Sequence, residues 1–166
     1  SDTEFGAKIS ISLVDGISFV DRISWDNFNE GIDLIAQIEA YRKRFGCYPE
    51  SVHADKIYRN RENRRYCKKH KIRLSGPKLG RPPKATAANA EELKAVKKQA
   101  RQDEIDRNAV EGKFGQGKNG YDLNRIRARR QDTSESWISA ILFVMNLTKL
   151  MKIALKHGYS LALFTW

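Results

Sequence analysis

The dipeptide Asp15-Gly16 separates two runs of strict two-residue alternation, and this leaves the start of the chain one simple solution. Lys8 to Val14 sets Ile9, Ile11 and Leu13 on one side and Ser10 and Ser12 on the other. Ile17 to Ser24 sets Ile17, Phe19, Asp21 and Ile23 against Ser18, Val20 and Arg22. A period of two predicts strands. Asp-Gly is a favoured two-residue turn because glycine tolerates positive φ and aspartate tolerates it better than most residues. Residues 8–24 are therefore expected to form an antiparallel hairpin.

The period then changes. Asn27 or Asn29 can cap a helix running to about Phe45, with Ile32, Ile35, Ile38 and Tyr41 at helical spacing. Gly46 and Pro49 stop it, and Arg42, Lys43 and Arg44 suit the negative end of its dipole. Ser51 to Ala54 reads as a short strand that delivers Asp55 at its C-terminal end, where ligands gather in open α/β sheets. Asp55 can equally cap a helix from Ile57 to about His70. Ile72 to Leu74 is a further strand, which completes an α/β core over 27–75. Glycine and proline make 76–86 a basic loop. A helical part is expected over 87–158: a polar helix from Ala87 to Val110, a flexible loop at Gly115, Gly117 and Gly120, and a polar stretch from Tyr121 to Arg130. A capping box, Asp132-Thr-Ser-Glu135, then opens a helix from Ser134 to about His157, closed by Gly158. The whole reads as a single α/β domain, 1–166.

Charge is distributed unevenly. The formal charge is +11, yet residues 1–55 carry 5 basic and 10 acidic side chains, while residues 56–73 carry 9 and 1. An acidic beginning against a strongly basic middle points to a polyanion partner such as DNA; a basic protein with no such partner is the bland alternative. Cys47 and Cys67 are too few for a disulfide framework, and His70 near Cys67 lacks the further ligands a zinc site needs. They suit a reduced, cytoplasmic protein. The first residues, Ser-Asp-Thr-Glu-Phe-Gly, do not form a secretory signal, and the chain is expected to begin inside a longer protein. The most apolar stretch, Trp137 to Leu155, is interrupted by Asn146, Lys149 and Lys152 and is expected to be a buried helix, not a membrane anchor.

One carboxylate stands apart. Glu111 lies among cations, with Arg107 before it and Lys113 and Lys118 after it. In the plain structural reading Glu111 pairs with Arg107 and Asp55 is a helix cap. The wider pattern says more. His53-Ala-Asp55-Lys-Ile-Tyr-Arg-Asn-Arg-Glu-Asn63 and Arg107-Asn-Ala-Val-Glu111-Gly-Lys-Phe-Gly115 resemble the second and third acidic regions of the DDE transposases of bacterial insertion sequences. Gly76-Pro-Lys-Leu-Gly-Arg-Pro-Pro83 and Met145-Asn-Leu147 are similar too, and the resemblance covers nearly the whole chain. Arg107, Glu111 and Lys118 keep the spacing of that family's Tyr, Arg, Glu, Lys pattern, with Glu104 where the tyrosine would stand.

The resemblance implies a ribonuclease H-like mixed sheet with flanking helices, its first strand missing. It implies Asp55 and Glu111 as catalytic carboxylates holding Mg²⁺ or Mn²⁺, two ions in the complete enzyme. Hard oxygen donors suit these ions, and a metal pair activates the attacking oxygen and stabilises the leaving one. Arg107, Lys118 and Lys113 would meet phosphates, and Arg59, Arg61, Arg64, Arg65 and Lys68 would track DNA by charge. The activity implied is metal-dependent DNA strand cleavage and transfer in transposition of a mobile element, by an oligomer on nucleoid DNA in the cytoplasm, with no membrane partner. The family's first aspartate precedes a hairpin like 8–24, and Asp15 sits instead in the turn. The chain alone is therefore expected to be inactive, with a non-catalytic DNA-binding remnant of a transposase as the alternative.

Overall fold

The computed structural model describes residues 6–77, 80–81, 83–84, 86 and 89–157. The chain is mixed α/β and forms two compact units, one from Ser1–Trp25 with Val110–Trp166 and one from Asp26–Ala109. The expected stop at Gly158, the helix start at Ala87 and the apolar tail from Leu161 lie outside the described residues.

In the first unit β1 (Lys8–Val14) pairs antiparallel with β2 (Ile17–Ser24). Asp15 and Gly16 both take positive φ, 51° and 81°, as the two-residue turn requires. The alternation of β2 is interrupted by a bulge: Ser10 faces Arg22 but Ile11 faces Val20, which leaves Asp21 as the extra residue. The change of phase lets Val20 and Ile23 pack on one core although Asp21 and Arg22 lie between them, a spacing that puts side chains on opposite faces of a regular strand. That core joins the hairpin to α4 (Gln131–Lys156) through Ile11, Leu123, Ile138, Ile141, Leu142 and Met145. Asn146 completes the join. Its Oδ1 accepts from Ser18 N at 2.9 Å and from Ser18 Oγ at 2.8 Å, and its Nδ2 donates to the Ser18 carbonyl at 2.7 Å. A residue that interrupts the apolar run in sequence is thus the clasp between helix and hairpin.

Three expectations are corrected here. The helix before Glu111 does not end there: α3 runs from Ala90 to Gly120, through the glycines taken for a loop. The reason at Gly117 is space, because a Cβ there would lie 2.8 Å from Leu123 Cδ2 and 3.4 Å from Met145 Sδ. Gly117 lets the chain after α3 close onto the helix, and Leu123 N–H donates to its carbonyl at 3.1 Å. Helix α4 starts three residues before the expected Ser134, and Asp132 lies inside its first turn, paired with Arg130 at 2.9 Å instead of capping. Glu135 does not reach back; it accepts from Trp25 Nε1 and Gln131 Nε2. Finally, α4 is not buried all round. Ser134, Ile138, Ile141, Leu142 and Met145 face the core, while Trp137, Phe143, Val144 and Leu147 are exposed.

In the second unit Asn29 caps a short 3-10 turn, Glu30–Ile32, before α1 (Leu34–Phe45). The inward face is therefore Leu34 and Ile38, and Ile32 is exposed on the turn. Gly46, at φ 76°, ends the helix and donates its N–H to the Arg42 carbonyl. The two short strands, β3 (Ser51–Val52) and β4 (Arg73–Leu74), pair in parallel across α2 (Arg61–Lys69). They pack with Leu34, Ile38, Cys67 and Ile72. Among the described residues the strands form two two-stranded sheets, one in each unit. Strands of two residues offer only two ladder positions each.

The glycines of α3 give a direct test. Gly117→Ala should destabilise by about 1–3 kcal/mol, because overpacking against Leu123 and Met145 exceeds the better helix propensity of alanine. Gly115→Ala meets nothing within 4 Å and should stabilise by up to about 1 kcal/mol. Chemical denaturation of the two variants checks both signs.

Candidate active site and nucleic-acid interface

β3 ends at Val52, and after His53 and Ala54 the chain reaches Asp55, past the C-terminal end of the parallel pair, with extended φ and ψ of −66° and 165°. It begins a 3-10 turn, Lys56–Tyr58, and its backbone carbonyl accepts from Tyr58 N–H at 3.0 Å. Its side chain makes no cap hydrogen bond. The carboxylate instead meets Arg107 Nη1 at 3.3 Å, with the Asp55 side chain 60% exposed and the Arg107 side chain 36%. An ion pair this open contributes about 0–1 kcal/mol, so it orients the carboxylate more than it stabilises the fold.

The turn carrying Asp55 is held from beneath. Asn63, 1% exposed, donates from Nδ2 to the carbonyls of Gly31 at 2.7 Å and Tyr58 at 2.8 Å. Asn60 caps α2 by accepting from Asn63 N–H, and its own Nδ2 donates to the same Gly31 carbonyl. Gly31 has to be glycine for this contact, since a Cβ there would lie 2.6 Å from the Ile57 carbonyl oxygen. Burial pushes the Tyr58 phenol up to about 12, with the nearby carboxylates Glu30, Asp33 and Asp55 adding to the shift.

The part of α3 in this unit adds a polar seam. Asp103, 8% exposed, has Arg73 Nη1 at 2.9 and 2.8 Å from its two oxygens and accepts from Gln99 Nε2 at 2.9 Å. His53 stands between Asp103, at 3.5 Å, and Asp106, at 3.9 Å, with Ser51 Oγ 3.0 Å from its Nε2. The hydrogen bond from Arg73 holds the Asp103 carboxyl below the usual carboxylate range, and Asp103 in turn raises Arg73. One stretch of helix thus touches β4 through Asp103, the end of β3 through His53, and Asp55 through Arg107.

Glu111 and Lys118 lie farther along α3, in the part that belongs to the first unit, and both are exposed. Glu111 is one helical turn past Arg107. No ion pair ties it to Arg107 among the described residues; the arginine faces Asp55. Glu104, in the tyrosine position of the family pattern, is exposed on the same helix. Lys113 is buried, with Nζ 3.2 Å from the Gly16 carbonyl, and burial, then neighbouring Lys149, lowers its amine. On α2, Arg61, Arg65 and Lys68 are exposed at steps of four and three, one cationic face. Arg64 is half-buried, with Nε 3.3 Å from the Asn60 carbonyl. Arg59 is turned inward: its guanidinium donates to the carbonyls of Leu74, Ser75 and Pro77, which ties the 3-10 turn before α2 to the end of β4.

Asp55 and Glu111 are hard oxygen donors of the kind Mg²⁺ and Mn²⁺ prefer. They fit such an ion in kind but not in number. Among the described residues no group of three or more His, Cys, Asp or Glu side chains is placed to hold a metal.

Residues Asp103, Arg73 and Asn63 complete the surroundings of Asp55 and have no part in the sequence reading of the site. Gln99, Asp103, Arg107 and Glu111 repeat every four residues, and this polar stripe was the available signal. Because the folded carboxyl of Asp103 lies below its unfolded value of about 3.9, its stabilisation is complete above that pH and is lost as pH falls through the folded value. Asp103→Asn should therefore cost about 1 kcal/mol at neutral pH, allowing for the half-exposed Arg73, and flatten the acid limb of stability. Thermal melts from neutral to acid pH check this.

The family model described as the transposase DDE domain matches residues 52–148, more than half of the chain. The match begins on β3 and takes in Asp55, Arg107, Glu111 and Lys118. No curated protein and no solved structure matches the chain.

Proposed function

The chain belongs to the transposase DDE domain family, and from that premise we propose that Asp55 and Glu111 are two of the carboxylates of a DNA strand-cleaving and strand-transferring centre. The observation that carries the reading is the side chain of Asp55. It stands at the C-terminal end of the parallel pair, makes no cap hydrogen bond and meets Arg107. A helix cap would place its oxygen on a backbone N–H; this carboxylate is left open on one side.

A divalent cation, when bound, would supply charge stabilisation to the phosphoryl oxygens and lower the pKa of an attacking water or 3′-hydroxyl. The chain's own residues do the rest. Asp55 and Glu111 offer oxygen ligands. Arg107 orients the Asp55 carboxylate, and its planar fork would also suit a phosphate. Lys118 and the α2 face of Arg61, Arg65 and Lys68 hold the DNA backbone by charge, with little reading of sequence. Arg59 and Lys113 belong to the scaffold in this reading, since each is engaged with backbone carbonyls. Membership of the family supports a ribonuclease H-like fold for the chain. The chain alone holds DNA and cuts it poorly. A purely DNA-binding remnant of a transposase shares the cationic face and differs only in the chemistry.

One measurement tests the DNA contacts that both readings share, and a second separates the two. Binding to duplex DNA should weaken linearly with the logarithm of salt, and replacing Arg61, Arg65 and Lys68 with alanine should reduce that slope by roughly 0.9 per lost contact. Lys113→Met should leave the slope unchanged. In the complete enzyme, Asp55→Asn or Glu111→Gln should abolish metal-dependent cleavage while DNA binding persists. Robust cleavage that survives either substitution removes the assignment.

A further inference from the structure

Between α3 and α4 the chain runs from Tyr121 to Arg130 without helix or strand. Its burial nevertheless alternates. Ile126 and Ala128 are half-buried while Arg125, Arg127 and Arg129 are exposed, and a period of two is that of an extended chain. The inner residues hold it there. Leu123 lies in the core and Ile126 packs against it, and the Ala128 carbonyl accepts at 3.1 Å from the hydroxyl of Ser134, which is 2% exposed. Arg130 ends the run with extended φ and ψ of −91° and 147°. Three arginines thus stand in a row on a fixed backbone, about 6–7 Å apart at their roots. Among the described residues no carboxylate pairs with any of the three, whereas Arg130 is engaged with Asp132 at 2.9 Å.

A row of cations suits an anion with the same repeat. Neighbouring phosphates along one nucleic-acid strand are separated by a similar distance, and each guanidinium fork can take one. The segment also begins and ends on an apolar depression of about 470 Å³. Tyr121 lines it, and Thr133, which lines it too, donates from Oγ1 to the Arg130 carbonyl at 3.0 Å. Trp137, on the wall of the same depression, is 46% exposed. A cationic track beside aromatic rings holds unpaired strands, because each free base offers a face to stack and a duplex keeps those faces inside. We propose that Arg125, Arg127 and Arg129 take successive phosphates of a single nucleic-acid strand whose unpaired bases lie against Tyr121 and Trp137. The inference rests on nucleic acid being the polyanion, as in the reading above, and not on the roles of Asp55 and Glu111. It is separate from the cationic face of α2, which belongs to the other unit.

Fluorescence anisotropy of short oligothymidylate strands with the whole chain, over a range of salt, tests it. Replacing Arg125, Arg127 and Arg129 together with glutamine should lower the salt slope by roughly 0.7 per lost contact, about 2 in all, with unchanged circular dichroism. Arg130→Gln should leave the slope as it is. Trp137→Ala should weaken binding of the single strand about tenfold and leave duplex binding unchanged. Two further measurements use the unaltered chain, so that folding is not in question. An abasic strand should bind about tenfold more weakly than the intact one, and neutral methylphosphonates at successive linkages should remove the slope that the three arginines supply. Three results would overturn the proposal: an unchanged slope in the triple variant, an abasic strand that binds as tightly as the intact one, or a Trp137→Ala loss equal for duplex and single strand. If the chain binds no nucleic acid of either kind, the shared premise fails with it. If the α2 variants lower the duplex slope while the arginine row changes nothing, this inference alone fails.

Discussion

Arg73 reaches from β4 to a nearly buried carboxylate on α3, and Gln99 donates to the same carboxylate from one turn earlier. An unpaired Asp103 at that depth would be strongly unfavourable, so helix and strand are held in one register by the need to keep the charge bonded. His53 is enclosed as a consequence, and Arg107, one turn past Asp103, arrives at Asp55. The position of the exposed carboxylate thus follows from a partner pair that is not itself exposed. Asn63 does the corresponding work on the other side of Asp55, by fixing the backbone of the turn that follows it.

The first unit is built on the same principle with a neutral side chain. Asn146 satisfies the backbone N–H, the hydroxyl and the carbonyl of Ser18, so one amide on α4 sets where the hairpin sits along the helix. Apolar packing around Met145 and Ile138 supplies area but little directional preference. In both units polar groups choose the register and apolar groups supply the cohesion.

The legible parts of the sequence were those governed by local rules. Asp15-Gly16 announces its turn because few residues tolerate two successive positive φ values, and Gly46 announces the end of α1 for a similar reason. The position of Asp55 after a strand was legible from the change of period around it. The errors arose where tertiary contact overrides a local rule. Gly117 reads as a helix breaker, yet it serves the approach of Leu123 inside a continuous helix. Asp132 reads as a cap, yet the helix begins before it and the carboxylate turns to Arg130. For Lys113 the fold adds what no local rule carries, an amine 3.2 Å from the Gly16 carbonyl. Asp103 looked like an ordinary polar position on an exposed helix, because nothing in the local sequence announces a partner 30 residues earlier.

The proposed function requires that Asp55 and Glu111 serve a single divalent cation. Paramagnetic broadening by Mn²⁺ of backbone amide resonances, measured on the chain with duplex DNA present, tests it directly. The account predicts that signals around Asp55 and Glu111 broaden together at the lowest Mn²⁺ additions, and that Asp55→Asn abolishes both effects. Broadening at only one of the two positions, or first at some other carboxylate, would contradict it.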